Sequence, residues 1–301
     1  MNRSRRLRGL ICGIAVGTLW GFSGCCGEFL FSNYDLSSGW LTAARLLGAG
    51  VLLIVLSLFV QRKNLVGAVK CPKDLVHILC YGIFGLLFCQ LSYLTAIKHS
   101  SAATATVIQY VGPVLVMLIV CIHSRRLPRR AEVLSIVLAL GGTFLVATHG
   151  NIHTLQMSLK GLLWNIACAV SVVSYTLIPG KITEKRSSMV VNGCGMLAGG
   201  IVLGLVFKVW LFPALDTAGY LALAGIIVLG TAGAFTLYMQ AVNDIGPIKA
   251  SIIACTEPLS AAVISFFWLG KRFAPMDIVG MVLILSTVFL LSVKQKNKKT
   301  Q

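Results

Sequence analysis

Apolar residues fall into ten runs, at approximately 10–31, 39–60, 75–97, 101–121, 132–148, 159–179, 189–210, 219–242, 248–268 and 275–293, and polar residues collect in the short gaps between them. A helix needs about 20 apolar residues to cross a hydrocarbon core. The pattern therefore predicts an all-α membrane protein of ten transmembrane helices, with almost nothing left for an extramembrane domain. The first run follows a basic stretch. It is too long for the apolar core of a signal peptide and has no small-residue cleavage site, so it reads as a retained helix.

Composition agrees. Of 301 residues, 57% are AVILMFWYC and 12% are Asp, Glu, Lys or Arg, with a mean hydropathy of +0.87, whereas a soluble domain carries about 25% charged residues. The net charge of +17 would in a soluble chain suggest a nucleic-acid partner. Here the charge is not a patch but a series of clusters: Arg3 to Arg8, Arg62 to Lys73, Arg125 to Arg130, Lys181 to Arg186 and Lys294 to Lys299. They recur after every second run, as cytoplasmic loops do under the positive-inside rule. With the N-terminus inside, the inner segments hold nineteen Lys/Arg, or twenty with Lys249, against five outside: Lys98, Lys160, Lys208, Lys271 and Arg272. Both termini are then cytoplasmic, and the turn at Lys271-Arg272 is the one that breaks the pattern. The expected partners are the bilayer and a small-molecule substrate, with protons as a candidate coupling ion, and not nucleic acid.

The ten cysteines lie in or beside apolar runs without a CxxC pair, so neither a disulfide framework nor a zinc site is indicated. The sequence contains no GxxxxGK[ST], HExxH or nucleophile-elbow motif. No cofactor, metal, enzymatic activity or ATP-driven transport within this chain is expected.

A shift of 145 residues superposes Gly85 on Gly230, Tyr93 on Tyr238, Ala96 on Ala241, Ala105 on Ala250, Pro113 on Pro258, Leu138 on Leu283 and Phe144 on Phe289 without a gap. The second half repeats the first. Each copy has five runs, and an odd number makes the second copy enter the membrane from the opposite side, which predicts inverted repeats exchanging access to a site between them.

The same residues carry a resemblance. Leu19-Trp20-Gly21, Arg45, Tyr93-Leu94-Thr95-Ala96 leading to Ser101-Ala102 and Pro113, and Glu257-Pro258-Leu259-Ser260-Ala261-Ala262 ending at Leu269-Gly270 resemble the EamA family, the ten-helix branch of the drug/metabolite transporter superfamily. The resemblance implies a cytoplasmic N-terminal segment 1–9, two EamA units at 10–148 and 159–293, and a basic cytoplasmic tail at 294–301. It implies an inner-membrane carrier, often an exporter, of amino acids, related metabolites or drugs. One position departs from the family pattern: where a Glu usually follows the Leu-Gly pair, this chain has Lys271.

Charged groups inside a span are costly and mark function or pairing. Three stand out. Glu28 and Arg45 lie in the outer halves of spans 1 and 2 and are expected to form a structural ion pair. Glu257 falls at the middle of span 9, with no basic residue at matching depth in the neighbouring runs, and the small Ala250, Ala254 and Ala261 on its face are expected to leave room for a ligand. Pro113 and Pro258 should kink spans 4 and 9, each freeing the carbonyl four residues earlier. Trp20, Gln90, Tyr93, Gln109, Asn165, Tyr238 and Gln240 complete the candidate substrate-binding set. An acid at the centre suits an amino group, so the expected substrate is a small neutral or zwitterionic metabolite or an amphiphilic drug. A flippase for lipid-linked substrates and an intramembrane enzyme are the alternatives. The enzyme would need several acids or histidines at one depth, whereas His77, His99, His123, His149 and His153 lie near span ends.

Overall fold

The computed structural model describes residues 3–123, 125, 127–128, 130–148, 157–245, 250, 253–254 and 256–294. All regular structure among them is helical. Helix α1 (Arg3–Asn33) is followed by α2 (Ser38–Val60), which begins at Ser37, whose hydroxyl accepts the amide of Trp40 and so satisfies one of the open donors of the first turn. A short helix α3 (Arg62–Lys70) occupies what the sequence suggests is a loop. Then α4 (Pro72–Cys80), a π-helical stretch Tyr81–Leu87 and α5 (Phe88–His99) form one continuous rod.

The next span is divided. Helix α6 (Ala102–Gln109) ends in a turn at Tyr110 and Val111, and α7 (Gly112–His123) resumes next to Pro113. Helices α8 (Arg130–Thr148), α9 (Leu159–Leu177), α10 (Gly180–Lys185) and α11 (Ser188–Val206) follow. A second rod consists of α12 (Thr217–Ala224), a π-helical stretch Gly225–Gly233 and α13 (Ala234–Ile245). Helix α14 (Glu257–Leu269) starts after a turn at Thr256 with Pro258 in its first turn, where the missing amide breaks no hydrogen bond within α14. It ends at Gly270, which takes φ +65°, a left-handed conformation that glycine adopts without strain. Helix α15 (Pro275–Lys294) closes the chain.

Seven helices among the described residues are long and apolar enough to cross a membrane, and three shorter apolar ones lie at Glu132–Val146, Glu257–Leu269 and Pro275–Ser286. The outer surface displays large apolar side chains such as Phe59, Leu205 and Phe267. A surface of this kind is stable against hydrocarbon and not against water. The chain is a multi-pass helical membrane protein.

The packing partners exchange between the halves. Helix α1 lies against α13 and α14, while α9 lies against α5 and against α6 and α7; α2 pairs with α11, and α8 with α15. Close approach depends on small residues. A Cβ on Gly21 would stand 2.7 Å from the amide nitrogen of Ala261 and 2.9 Å from the carbonyl oxygen of Glu257, so α1 and α14 touch backbone to backbone there.

Polar contacts tie both ends of the bundle. At the end where α1 begins, Arg8 grips Asp244 through Nε and Nη2 at 2.7 and 2.8 Å, and Lys185 and Arg186 both reach Asp74 at 2.8 Å. At the other end the Tyr34 hydroxyl donates to Asp216, the residue that caps α12. That bond and the amide of Gly219 hold the Asp216 carboxyl below the usual carboxylate range.

Candidate functional site

A cavity of about 210 Å³ lies in the middle of the bundle. The first half contributes Trp20 from α1, Arg45 from α2, Leu86, Cys89, Gln90 and Tyr93 from the α4–α5 rod, and Gln109 and Tyr110 from the break after α6. The second half contributes Val172, Tyr175 and Thr176 from α9, Phe235 from α13 and Glu257 from the start of α14. Both broken spans thus deliver residues to the cavity at their breaks.

The two breaks also meet each other. Because Pro258 has no amide, the carbonyl of Ala254 lacks its helical donor. The Tyr110 hydroxyl stands 3.2 Å from that carbonyl and 3.2 Å from Oε2 of Glu257, and its one proton serves either acceptor. The helices are interrupted at Tyr110 and Val111, beside Pro113, and at Thr256, beside Pro258.

Of the predicted set, Trp20, Gln90, Tyr93, Gln109 and Glu257 line the cavity. Tyr93 is buried and its hydroxyl bonds Thr106 Oγ1 at 2.8 Å. Three others stand elsewhere. Asn165 donates to the Gly161 carbonyl at 2.8 Å and to Ser100 Oγ at 3.2 Å, a contact between α9 and the end of α5. Gln240 bonds Asp244 one turn away at 2.9 Å. Tyr238 packs on Trp20 with ring centroids 5.6 Å apart, behind the cavity wall.

The expected Glu28–Arg45 ion pair does not form. Glu28 instead faces Lys271, whose Nζ is 2.9 Å from Oε1, and its Oε2 accepts the amide of Ala102 at 2.7 Å, at the open N-terminus of α6. A carboxylate is favoured there both by the free amides and by the helix dipole. Arg45 turns the other way. Its Nε donates to Thr231 Oγ1 at 2.9 Å, and Thr231 in turn donates to the carbonyl of Ile226, five residues back in the π-helical stretch. Glu257 is therefore not isolated from basic residues, because Arg45 lines the same cavity. Ala250, Ala254 and Ala261 on the Glu257 face are not among the residues that line the cavity, and α1 approaches the backbone of Ala254 and Ala261 at Gly17 and Gly21.

Tyr110, Tyr175, Thr176 and Phe235 escaped the sequence reading. Tyr110 had a signal, since it sits in the break that Pro113 predicts. The others have none, because an aromatic or threonine in an apolar run looks the same whether it faces lipid or a cavity. Among the described residues no group of three or more His, Cys, Asp or Glu is arranged to hold a metal ion.

Residues 7–148 and 159–293 both match the EamA-like transporter family. The chain belongs to that family. It is 35% identical over 293 residues, 97% of each chain, to "Uncharacterized inner membrane transporter YicL" of Salmonella typhimurium. It is 22% identical over 265 residues, 86% of this chain and 85% of the other, to "Uncharacterized transporter YwfM" of Bacillus subtilis. A solved structure described as "Crystal structure of protein" shares its fold over 100% of both chains, with a TM-score of 0.63 at 16% identity. The cavity is walled by residues of both halves, and Arg45 and Glu257 are the basic and the carboxylic side chain among them.

Proposed function

We propose that this EamA-like chain is a secondary transporter of small neutral or zwitterionic metabolites, such as amino acids, or of amphiphilic drugs, working by alternating access and in the direction of export. In this reading ten spans form two inverted five-helix repeats in the inner membrane, with both termini cytoplasmic. The exchange of packing partners between the halves supports it, as does the 145-residue shift, which carries Tyr81–Leu87 onto 226–232, inside the second π-helical stretch. The observation that carries the reading is the cavity walled by residues of both halves, Arg45 and Glu257 among them. Inverted-repeat carriers bind cargo at such a place, between discontinuous helices at the midplane.

Purified protein in proteoliposomes should exchange a radiolabelled amino acid for an unlabelled one inside, and an imposed pH gradient should drive net flux if protons are coupled. Absence of exchange over a panel of amino acids and amphiphilic amines overturns the reading. Single-cysteine labelling tests the topology: a cysteine at position 271 should react from outside and one at position 125 from inside. Labelling of position 271 from inside alone would break the inverted arrangement.

A further inference from the structure

Arg45 is 4% exposed and holds its guanidinium by one edge only. Nε is anchored to Thr231, and Thr231 is itself fixed by the Ile226 carbonyl, so the guanidinium is held in place with Nη1 buried and lacking a hydrogen-bond partner. The acid expected to neutralise it, Glu28, is taken by Lys271 and the amide of Ala102. Among the described residues Arg45 makes no ion pair. A buried polar group without a partner is costly and in native proteins is usually explained by a ligand or water. Glu257 is the other charged residue in the cavity wall, anchored on one side by Tyr110 at the N-terminal end of α14.

Resting on the transporter reading, we propose that Arg45 and Glu257 are the two poles of the substrate site. Arg45 takes a carboxylate, Glu257 takes an ammonium, and the substrate is a zwitterion with an apolar or aromatic side chain. A zwitterion pairs both groups at once, whereas an amphiphilic cation or a simple anion pairs one and leaves the other buried without a partner, which is strongly disfavoured. A guanidinium with a free edge matches a carboxylate better than any other side chain. Trp20, Tyr93, Tyr175 and Phe235 supply apolar walls for the remainder of the molecule. The volume of about 210 Å³ is below the roughly 300–1,000 Å³ of sites for drug-sized ligands.

Calorimetric titration of the purified full chain tests this with L-phenylalanine, phenethylamine, which lacks the carboxylate, and hydrocinnamate, which lacks the amine, alongside L-leucine, isopentylamine and isocaproate. The wild type should bind each zwitterion at least tenfold more tightly than its two analogues. Arg45→Gln leaves the cavity with net negative charge and should turn its preference to the amines. Glu257→Gln should turn it to the acids. Arg45→Lys, which keeps the charge, should retain the zwitterion preference at reduced affinity. A purely structural role for either residue would not reverse selectivity in opposite directions. A wild type that prefers the amines, or a folded Glu257→Gln with an unchanged ratio of phenylalanine to hydrocinnamate affinity, overturns the proposal even if Arg45→Gln fails to fold. Counterflow of phenethylamine alone would keep the transporter and remove the two poles. Zwitterion binding without any counterflow would keep the poles and remove the transporter.

Discussion

Glu28 and Lys271 face each other unequally: the Glu28 side chain is 5% exposed and that of Lys271 is 43% exposed. The consequence is directional. Glu28→Gln releases a lysine that already reaches its surroundings, while Lys271→Gln strands a buried carboxylate with the α6 amide as its remaining support. Breaking a fully buried pair costs about 3–5 kcal/mol. Screening at the half-exposed lysine reduces this to about 1–3 kcal/mol for Lys271→Gln, and Glu28→Gln should cost less than that. Thermal unfolding of the two single variants and the double variant in detergent measures it. If Glu28→Gln proved the more damaging, α6 capping rather than the charge pair would dominate. The same pair gives a physical sense to the departure at position 271: the acid on α1 needs a cation at the α14–α15 turn.

Between elements, the controlling fact is how closely α1 approaches α14. Gly21→Ala would place a methyl group within 2.7–2.9 Å of backbone atoms of Ala261 and Glu257, so one helix must move. Backbone cannot yield as a flexible side chain does, and whichever helix moves carries a cavity residue, Trp20 on α1 or Glu257 on α14. Gly21→Ala should therefore lower thermal stability and weaken binding of the titrated ligand several-fold. Gly141 on α8 is the control, since nothing lies within 4 Å of its Cβ position. Gly141→Ala should be neutral or stabilise by up to about 1 kcal/mol through helix propensity. Equal loss in both variants would show that α1–α14 contact is not special.

Across the whole molecule, polar contacts join the two halves at both ends of the bundle, and in the alternating-access reading proposed above they are candidate gates. Arg8 and Asp244 hold α1 to α13 at the end assigned to the cytoplasm. Arg8→Glu replaces attraction by repulsion and should shift the population toward the state open at that end. Cys89, which lines the cavity, is a native reporter. In a background with the other cysteines replaced, its labelling by a polar maleimide should rise several-fold in Arg8→Glu and return toward the starting rate in Arg8→Glu/Asp244→Arg. No change in the single variant would remove this pair from the gate.

The membrane character, the family and the two copies of its unit were readable from the chain alone, and Pro113 and Pro258 lie beside the places where the described helices break. These are local signals: length of an apolar run, a missing amide, a repeated residue at fixed spacing. What the sequence did not determine is which side chains meet. Glu28 finds Lys271 and not Arg45, Arg45 turns to Thr231 and the Glu257 cavity, and Asn165 and Gln240 bond nearby groups instead of lining it. A helix surrounded by lipid and apolar neighbours carries little amphipathic stripe to reveal its rotation. The facing of each buried charge was therefore decided only by packing between helices far apart in the chain, where glycine contacts and the offset of the π-helical turns fix the rotation.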